Sequence, residues 1–177
     1  MQSPEVWQRC KKGDRNAFRQ LYMDHIDNLM AYGRKLCPDM EILEDAVHDL
    51  FVYIWEKRET LGETDSVIRY LCVSLRRRLV KSMENQSKMQ HPEQLENHVQ
   101  FTSPSIETEW IQTEDTSGKE ILLQNAIKKL PKRQQEAIHL KYYQNMSYEE
   151  ICSVMDINYQ SVRNLISRAM IELRQWL

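Results

Sequence analysis

Two places in the 177-residue chain set a carboxylate and an imidazole one helical turn apart: Asp45-x-x-His48 and Glu136-x-x-His139. Pairs of this kind, joined by two further glutamates, hold di-metal centres in four-helix bundles. Here no further acids stand out to complete the set, and an acidic stretch separates the two motifs. A di-metal helical bundle is therefore the remotest of three functional readings. The chain has no Gly-rich phosphate loop and no nucleophile motif. Its four cysteines, Cys10, Cys37, Cys72 and Cys152, are far apart and form no C-x-x-C pair. All but Cys10 sit among apolar residues, so they read as buried thiols and not as a disulfide framework or zinc site. No catalytic residue, metal or cofactor is expected, and the chain is not read as an enzyme.

The other chemistry available is recognition. Tyr159, Gln160, Ser161, Arg163, Asn164, Ser167 and Arg168 include the side-chain types that reach base edges and phosphates. They need a helix to present them. Val162, Leu165, Ile166, Ala169 and Leu173 recur at helical spacing and share one face, which leaves most of the polar set on the other. Ser147 is placed to cap a shorter helix with Ile151, Val154 and Met155 inward, and Asp156, Ile157 and Asn158 make the turn between the two. A scaffold helix, a tight turn and a polar-faced second helix form a helix-turn-helix candidate. An antiparallel helix pair in any bundle gives similar spacing. Upstream, Lys119–Lys129 predicts a helix with Ile121, Leu122, Ala126, Ile127 and Leu130 facing in. Pro131 then suits the first position of a helix running to about Gln144, with Lys132 and Arg133 adding positive charge.

Four helices are predicted over residues 1–83. Ser3-Pro4-Glu5 starts the first, Gly13 breaks it, and Asp14 can cap the second. The second carries Phe18, Leu21, Tyr22, Ile26, Leu29, Met30 and Gly33 as a core stripe, and Pro38 ends it. The third, about Glu41–Lys57, buries Leu43, Ala46, Val47, Leu50, Phe51 and Ile54. It sets Asp45, His48, Asp49, Val52 and Glu56 on another stripe, too acidic for DNA but suited to a basic partner or to plain solvation. The fourth has an inner stripe of Ile68, Leu71, Cys72, Leu75 and Leu79. Arg69, Arg76, Arg77, Arg78 and Lys81 lie largely outside it, beside Tyr70. Cations with an aromatic suit a strand of phosphates and stacked bases, although an ordinary basic helix has the same composition.

These motifs resemble a family. Leu130-Pro131, Met146-Ser147-Tyr148-Glu149-Glu150-Ile151, Val162-Arg163-Asn164 and Arg168-Ala169 look like the C-terminal domain of bacterial sigma factors, best the extracytoplasmic-function (ECF) group of the sigma-70 family. They are less closely similar to the helix-turn-helix of response regulators. Asp45 to Trp55 resembles the sigma-factor helix that grips the polymerase clamp helices. Ser66-Val67-Ile68-Arg69-Tyr70-Leu71 resembles the start of the helix that melts and reads the minus-ten promoter element. The resemblance implies promoter-specific transcription initiation. Its partners would be core RNA polymerase (beta-prime clamp helices and beta flap) and promoter DNA, and it allows an anti-sigma factor. It implies polymerase contacts at Asp45, His48, Asp49, Val52 and Glu56. It implies minus-ten contacts at Ser66, Arg69, Tyr70, Arg76 and Arg77, and minus-thirty-five contacts along Tyr159–Arg168. The chain departs from the family pattern at His48 (usually Gln), Arg77 (Asn), Lys81 (often an acid), Gln135 (Arg), Cys152 (Ala) and Asp156 (Gly). The middle reading is a non-sigma helix-turn-helix regulator; it leaves the clamp-like and minus-ten-like helices unexplained.

Charge is segregated. Residues 1–83 hold 14 basic and 13 acidic side chains, 84–118 hold one and seven, and 119–177 hold nine and six. The net charge of −2 thus hides two mildly basic ends. Residues 84–118, with Pro92 and Pro104, read as an acidic flexible linker in which Ser105–Thr113 could form a short helix. The expected architecture is all-α: a region 2-like domain (1–83), the linker (84–118) and a region 4-like helix-turn-helix domain (119–177). No run is apolar enough to span a bilayer and no signal-like start is present, so no membrane insertion and a cytoplasmic location are expected.

Overall fold

A computed structural model describes residues 4–90 and 118–177. Among them are eight α-helices and no strand: α1 (Pro4–Lys11), α2 (Arg15–Leu36), α3 (Met40–Lys57), α4 (Val67–Gln90), α5 (Gly118–Lys129), α6 (Lys132–Ile138), α7 (Tyr148–Met155) and α8 (Tyr159–Trp176). The chain divides into two compact units, Met1–Val99 and Gln100–Leu177. The Ser3 cap, Pro92, Pro104 and the short helix expected at Ser105–Thr113 lie outside the described residues. The helix expected to end near residue 83 continues to Gln90, so the start of the stretch read as linker is helical.

In the first unit α2 packs against α1, α3 and α4. Asp14 caps α2 by accepting from the backbone N–H groups of Asn16 and Ala17, at 2.9 and 3.1 Å. Arg9 binds the same carboxylate at 2.7 Å, and together these hold it below the usual carboxylate range. Asp39 caps α3 in the same way. At Gly33 α2 runs so close to α3 that an added Cβ would collide with Leu43. The inner face of α4 is Val67, Leu71, Cys72, Leu75 and Leu79, with Val67 in place of the expected Ile68, which is only half-buried. Cys10, Cys37 and Cys72 are buried, Cys152 is half-exposed, and all four are free thiols. Burial pushes the Cys10 and Cys37 thiols up, away from the reactive thiolate.

The stripe assigned to α2 is the main correction. Its buried face is Ala17, Leu21, His25, Leu29, Tyr32, Gly33 and Leu36. Phe18, Tyr22, Ile26 and Met30 sit one position round the helix; Phe18, Ile26 and Met30 are half-buried and Tyr22 is 38% exposed. They cover the flank of α3, where Phe18 meets Trp55 at 5.0 Å and Tyr22 meets Phe51 at 4.8 Å between ring centroids. Their outer side stays open. His25, which the sequence pattern passed over, is only 5% exposed, and neither ring nitrogen has a partner among the described residues.

In the second unit α6 and α8 make the main contact. Pro131 is the cap of α6 and not its first helical residue. The helix expected to reach Gln144 changes at His139 into a π-helical turn, His139–Tyr143, closed by the Gln144 N–H on the His139 carbonyl at 3.2 Å. Gln135 is buried and donates to the Leu130 and Lys128 carbonyls at 2.7 and 3.1 Å, satisfying the end of α5. Ile121 and Leu122, expected to face in, are 40% and 60% exposed. Only the C-terminal half of α5, Ala126 and Ile127, enters the core with Leu130.

Two stability predictions follow from caps and burial. Burial pushes the His25 imidazole below its ordinary value of 6.5 in the fold, while the Asp24 carboxylate acts the other way. As pH falls through about 6.5 the unfolded chain takes up a proton that the folded chain refuses, so stability falls until the folded-state value is passed. Denaturant midpoints are expected to drop between about pH 7 and pH 5.5, and less so in His25→Leu. The N-cap of α8 is Asn158, whose Oδ1 accepts from Ser161 N–H at 2.8 Å. Asn158→Ala is expected to cost about 1 kcal/mol, read from chemical denaturation at neutral pH.

Candidate nucleic-acid and protein interface

The helix-turn-helix is built by a capping box, a left-handed turn and a second cap. Ser147 accepts from Glu150 N–H at 3.1 Å, and the Glu150 carboxylate accepts from Ser147 N–H at 2.9 Å. These fix the start of α7. Asp156 ends it in the left-handed region, φ 54° and ψ 51°, which Asp adopts at less cost than most side chains. Asn158 then starts α8. Ile151, Val154 and Met155 of α7 and Val162, Ile166, Ala169 and Leu173 of α8 are buried, with Leu165 half-buried.

That packing turns the predicted readers outward. Tyr159, Gln160, Arg163, Asn164, Ser167 and Arg168 are exposed, and Ser161 is half-buried. Tyr159 sits against Tyr148 of α7 at 5.5 Å, and the Lys141 ammonium lies 5.0 Å from the Tyr148 ring. Lys141 also donates to the Met146 carbonyl at 3.2 Å, tying the segment before α7 to this cluster. Gln160 Nε2 donates to Asn164 Oδ1 at 3.1 Å along the exposed face. None of these side-chain contacts was anticipated from spacing.

The α4 surface is more committed to its own fold. Ser66 accepts from Arg69 N–H at 3.4 Å, so it serves as a cap. Arg69 pairs with Asp65. Tyr70 is half-buried against Trp7, 5.2 Å between centroids, and burial pushes its phenol up while a Ser74 hydrogen bond opposes this. Arg78 lies over Tyr53 of α3 at 5.1 Å. Arg76 is half-exposed; Arg77 and Lys81 are exposed.

On α3, Asp45, His48, Asp49, Val52 and Glu56 are all exposed and form one stripe. Beside it runs a groove of about 660 Å³ between α2 and α3. Phe18, Tyr22, Ile26 and Met30 line one side; Val47, Phe51, Val52 and Trp55 line the other, with Glu44, His48 and Glu56 at polar positions. Apolar residues at helical spacing signal a core, and only the packing reveals that this second stripe has no cover among the described residues. Asp45 and His48 are exposed in the first unit. Glu136 and His139 are buried in the second, where the His139 ring stacks on Tyr143 at 5.2 Å. Among the described residues no group of three His, Cys, Asp or Glu could hold a metal.

Residues 120–173 match the family model for sigma-70, region 4. No curated protein matches the chain. Among solved structures, the chain is similar to the sigma factor RpoE in complex with the anti-sigma factor NepR from Bartonella quintana. That match has 19% identity, covers 90% of this chain and 95% of the other, and has a TM-score of 0.64. It is also similar to CnrH in complex with the cytosolic domain of CnrY, with 17% identity, 97% and 94% coverage and a TM-score of 0.62. At such identities the structural likeness speaks to the fold, while the region 4 match speaks to the helix-turn-helix itself. The chain thus carries a sigma-70 region 4 helix-turn-helix over residues 120–173 and shares the fold of RpoE and CnrH over nearly its whole length.

Proposed function

We propose that this chain binds core RNA polymerase and directs it to specific promoters, performing no chemistry itself. The observation that carries this is the pairing, on one chain, of the outward polar face of α8 with the exposed acidic stripe of α3. A regulator using only the C-terminal reader has no use for the second surface. The proposed division is a region 2-like domain (1–83), a linker (84–118) and a region 4-like domain (119–177). The location proposed is cytoplasmic, in keeping with the finding that no described helix is long and apolar enough to cross a membrane. An anti-sigma factor is a further proposed partner, because RpoE is solved with one.

Within this reading Asp45, His48, Asp49, Val52 and Glu56 meet the beta-prime clamp helices. His48 keeps a hydrogen-bonding role there, since imidazole can donate and accept. The adjoining apolar groove, which shares His48, Val52 and Glu56, extends that surface. Ser66, Arg69, Tyr70, Arg76 and Arg77 lie near the melted minus-ten strand. Tyr159 to Arg168 read the minus-thirty-five duplex, and the second unit meets the beta flap. The overall test is transcription by purified core polymerase on a genomic library with and without the chain. Identical transcript sets would refute the proposal.

Two sharper measurements divide the surfaces. Asp45→Lys with Asp49→Lys is expected to weaken core-polymerase pull-down while helical content stays unchanged; undiminished pull-down would show a merely solvated face. Arg163→Ala is expected to lose about 1–3 kcal/mol of discrimination at one base pair. Arg168→Ala, further along the helix, is expected to weaken all duplexes alike and flatten the salt dependence. Duplex binding across single-base variants at two salt concentrations checks both.

A further inference from the structure

The exposed face of α8 carries two amides that are already bonded to each other. Gln160 Nε2 donates to Asn164 Oδ1 at 3.1 Å, one helical turn along. The bond occupies one donor and one acceptor. It leaves both Asn164 Nδ2 hydrogens and the Gln160 Oε1 lone pairs, with one Gln160 Nε2 hydrogen and one Asn164 Oδ1 lone pair, for a ligand on this exposed face. Were both amides turned over, the pair would still present one amide N–H group and one carbonyl oxygen. The combination is thus a donor beside an acceptor, held by a side-chain bond on a rigid helix whose N-terminal end is fixed by the Asn158 cap and the Tyr148–Tyr159 contact.

In the major groove only adenine presents the complement, an N7 acceptor beside an N6 donor. Guanine presents two acceptors, N7 and O6, so its O6 would face the pair's carbonyl oxygen without a proton between them. Thymine offers an acceptor and a methyl, and cytosine a donor alone. A single Asn or Gln reads adenine by turning both its own amide atoms to the base. Either residue alone could also do so with the N–H or lone pair that the shared bond leaves free, and joint reading differs from single reading in where and how the two substitutions act.

We propose that Gln160 and Asn164 act as one unit that reads a single adenine of the upstream duplex, with Asn164 Nδ2 donating to N7 and Gln160 Oε1 accepting from N6. This rests on the reading of α8 as the duplex reader. The two are specificity-determining residues whose effect is joint: removing either leaves the other without its orienting bond, so the adenine preference is lost at the first substitution.

The test uses the full chain bound to core polymerase, a randomised upstream duplex for selection, and then single-base variants of the selected element. Gln160→Ala, Asn164→Ala and the double variant are compared with the wild-type chain. Both side chains are exposed, so helical content is expected to be unchanged. Each single variant is expected to lose adenine-over-guanine preference at one and the same base pair, by about 5- to 100-fold. The double variant is expected to lose no more than the larger single loss. Losses at two different base pairs, additive losses, or a uniform weakening of all duplexes would overturn the shared reading while leaving α8 as the reader. If the wild-type complex selects no upstream element, the assignment of α8 as the duplex reader falls, and this proposal with it.

Discussion

The turn between α7 and α8 is the constraint on which the helix-turn-helix depends. Three residues must reverse the chain closely enough for Ile151, Val154 and Met155 to meet Val162, Ile166 and Ala169. A left-handed residue at Asp156 makes the reversal possible, and Asn158 immediately restores a helix by supplying a side-chain acceptor. Because α8 is then pinned by its apolar stripe, its rotation about its own axis is fixed. The direction of every polar side chain follows from that rotation. A shift of one residue in the register would turn the readers by about 100° and bury some of them. The small size of this unit adds to the demand: its core draws on few large residues, so polar side chains such as Gln134 and Gln135 are buried and hydrogen-bonded inside it.

The first unit obeys a different constraint. Its central helix α2 touches three neighbours, and so needs more apolar surface than one stripe provides. Part of that surface sits where only one neighbour reaches it. Phe18 and Tyr22 secure one edge through aromatic contacts with Phe51 and Trp55, while the other edge faces outward. An open groove of this size with an acidic rim is costly to leave in water, since its apolar area gains about 25 cal/mol per Å² when covered. That cost favours a partner that brings apolar side chains flanked by basic ones.

Much of this was legible from residue order. The end of α1 and the starts of α2 and α7 followed from the Gly13 break, Asp14 and Ser147. The exposed stripe of α3 and the outward face of α8 followed from spacing, because each helix has a single strong buried face that fixes the opposite one. What spacing could not show was which of two neighbouring apolar stripes on α2 lies inside. It equally could not show that the first half of α5 runs past the core. Ile121 and Leu122 carry the right period, but burial depends on what lies opposite them. The π-helical turn at His139 and the Gln160–Asn164 bond were illegible for a related reason: both are settled by local geometry that many residues could share. Gln135 shows the converse. The sequence marked it as a departure, and the fold gives its purpose, since a neutral amide can enter the core and cap α5 where a guanidinium would be costly to bury.

If α4 takes the minus-ten role proposed for it, cations already engaged within the fold have to serve a nucleic acid. Arg69 pairs with Asp65 and Arg78 lies on Tyr53, whereas Arg77 and Lys81 are exposed. A surface ion pair is worth about 0–1 kcal/mol, because water screens both charges before they meet. Replacing a carboxylate by a phosphate at Arg69 therefore loses little and keeps a charge-assisted hydrogen bond. Tyr70 is different. Its ring packs on Trp7 and its burial is part of the α1–α4 contact, so offering it to a stacked base would expose apolar area that the fold now covers. Under the proposed role, the electrostatic part of strand binding would need no rearrangement, with Arg77 and Lys81 already exposed and Arg69 available by exchange. Any base stacking has to use the edge of an aromatic cluster that stays in place.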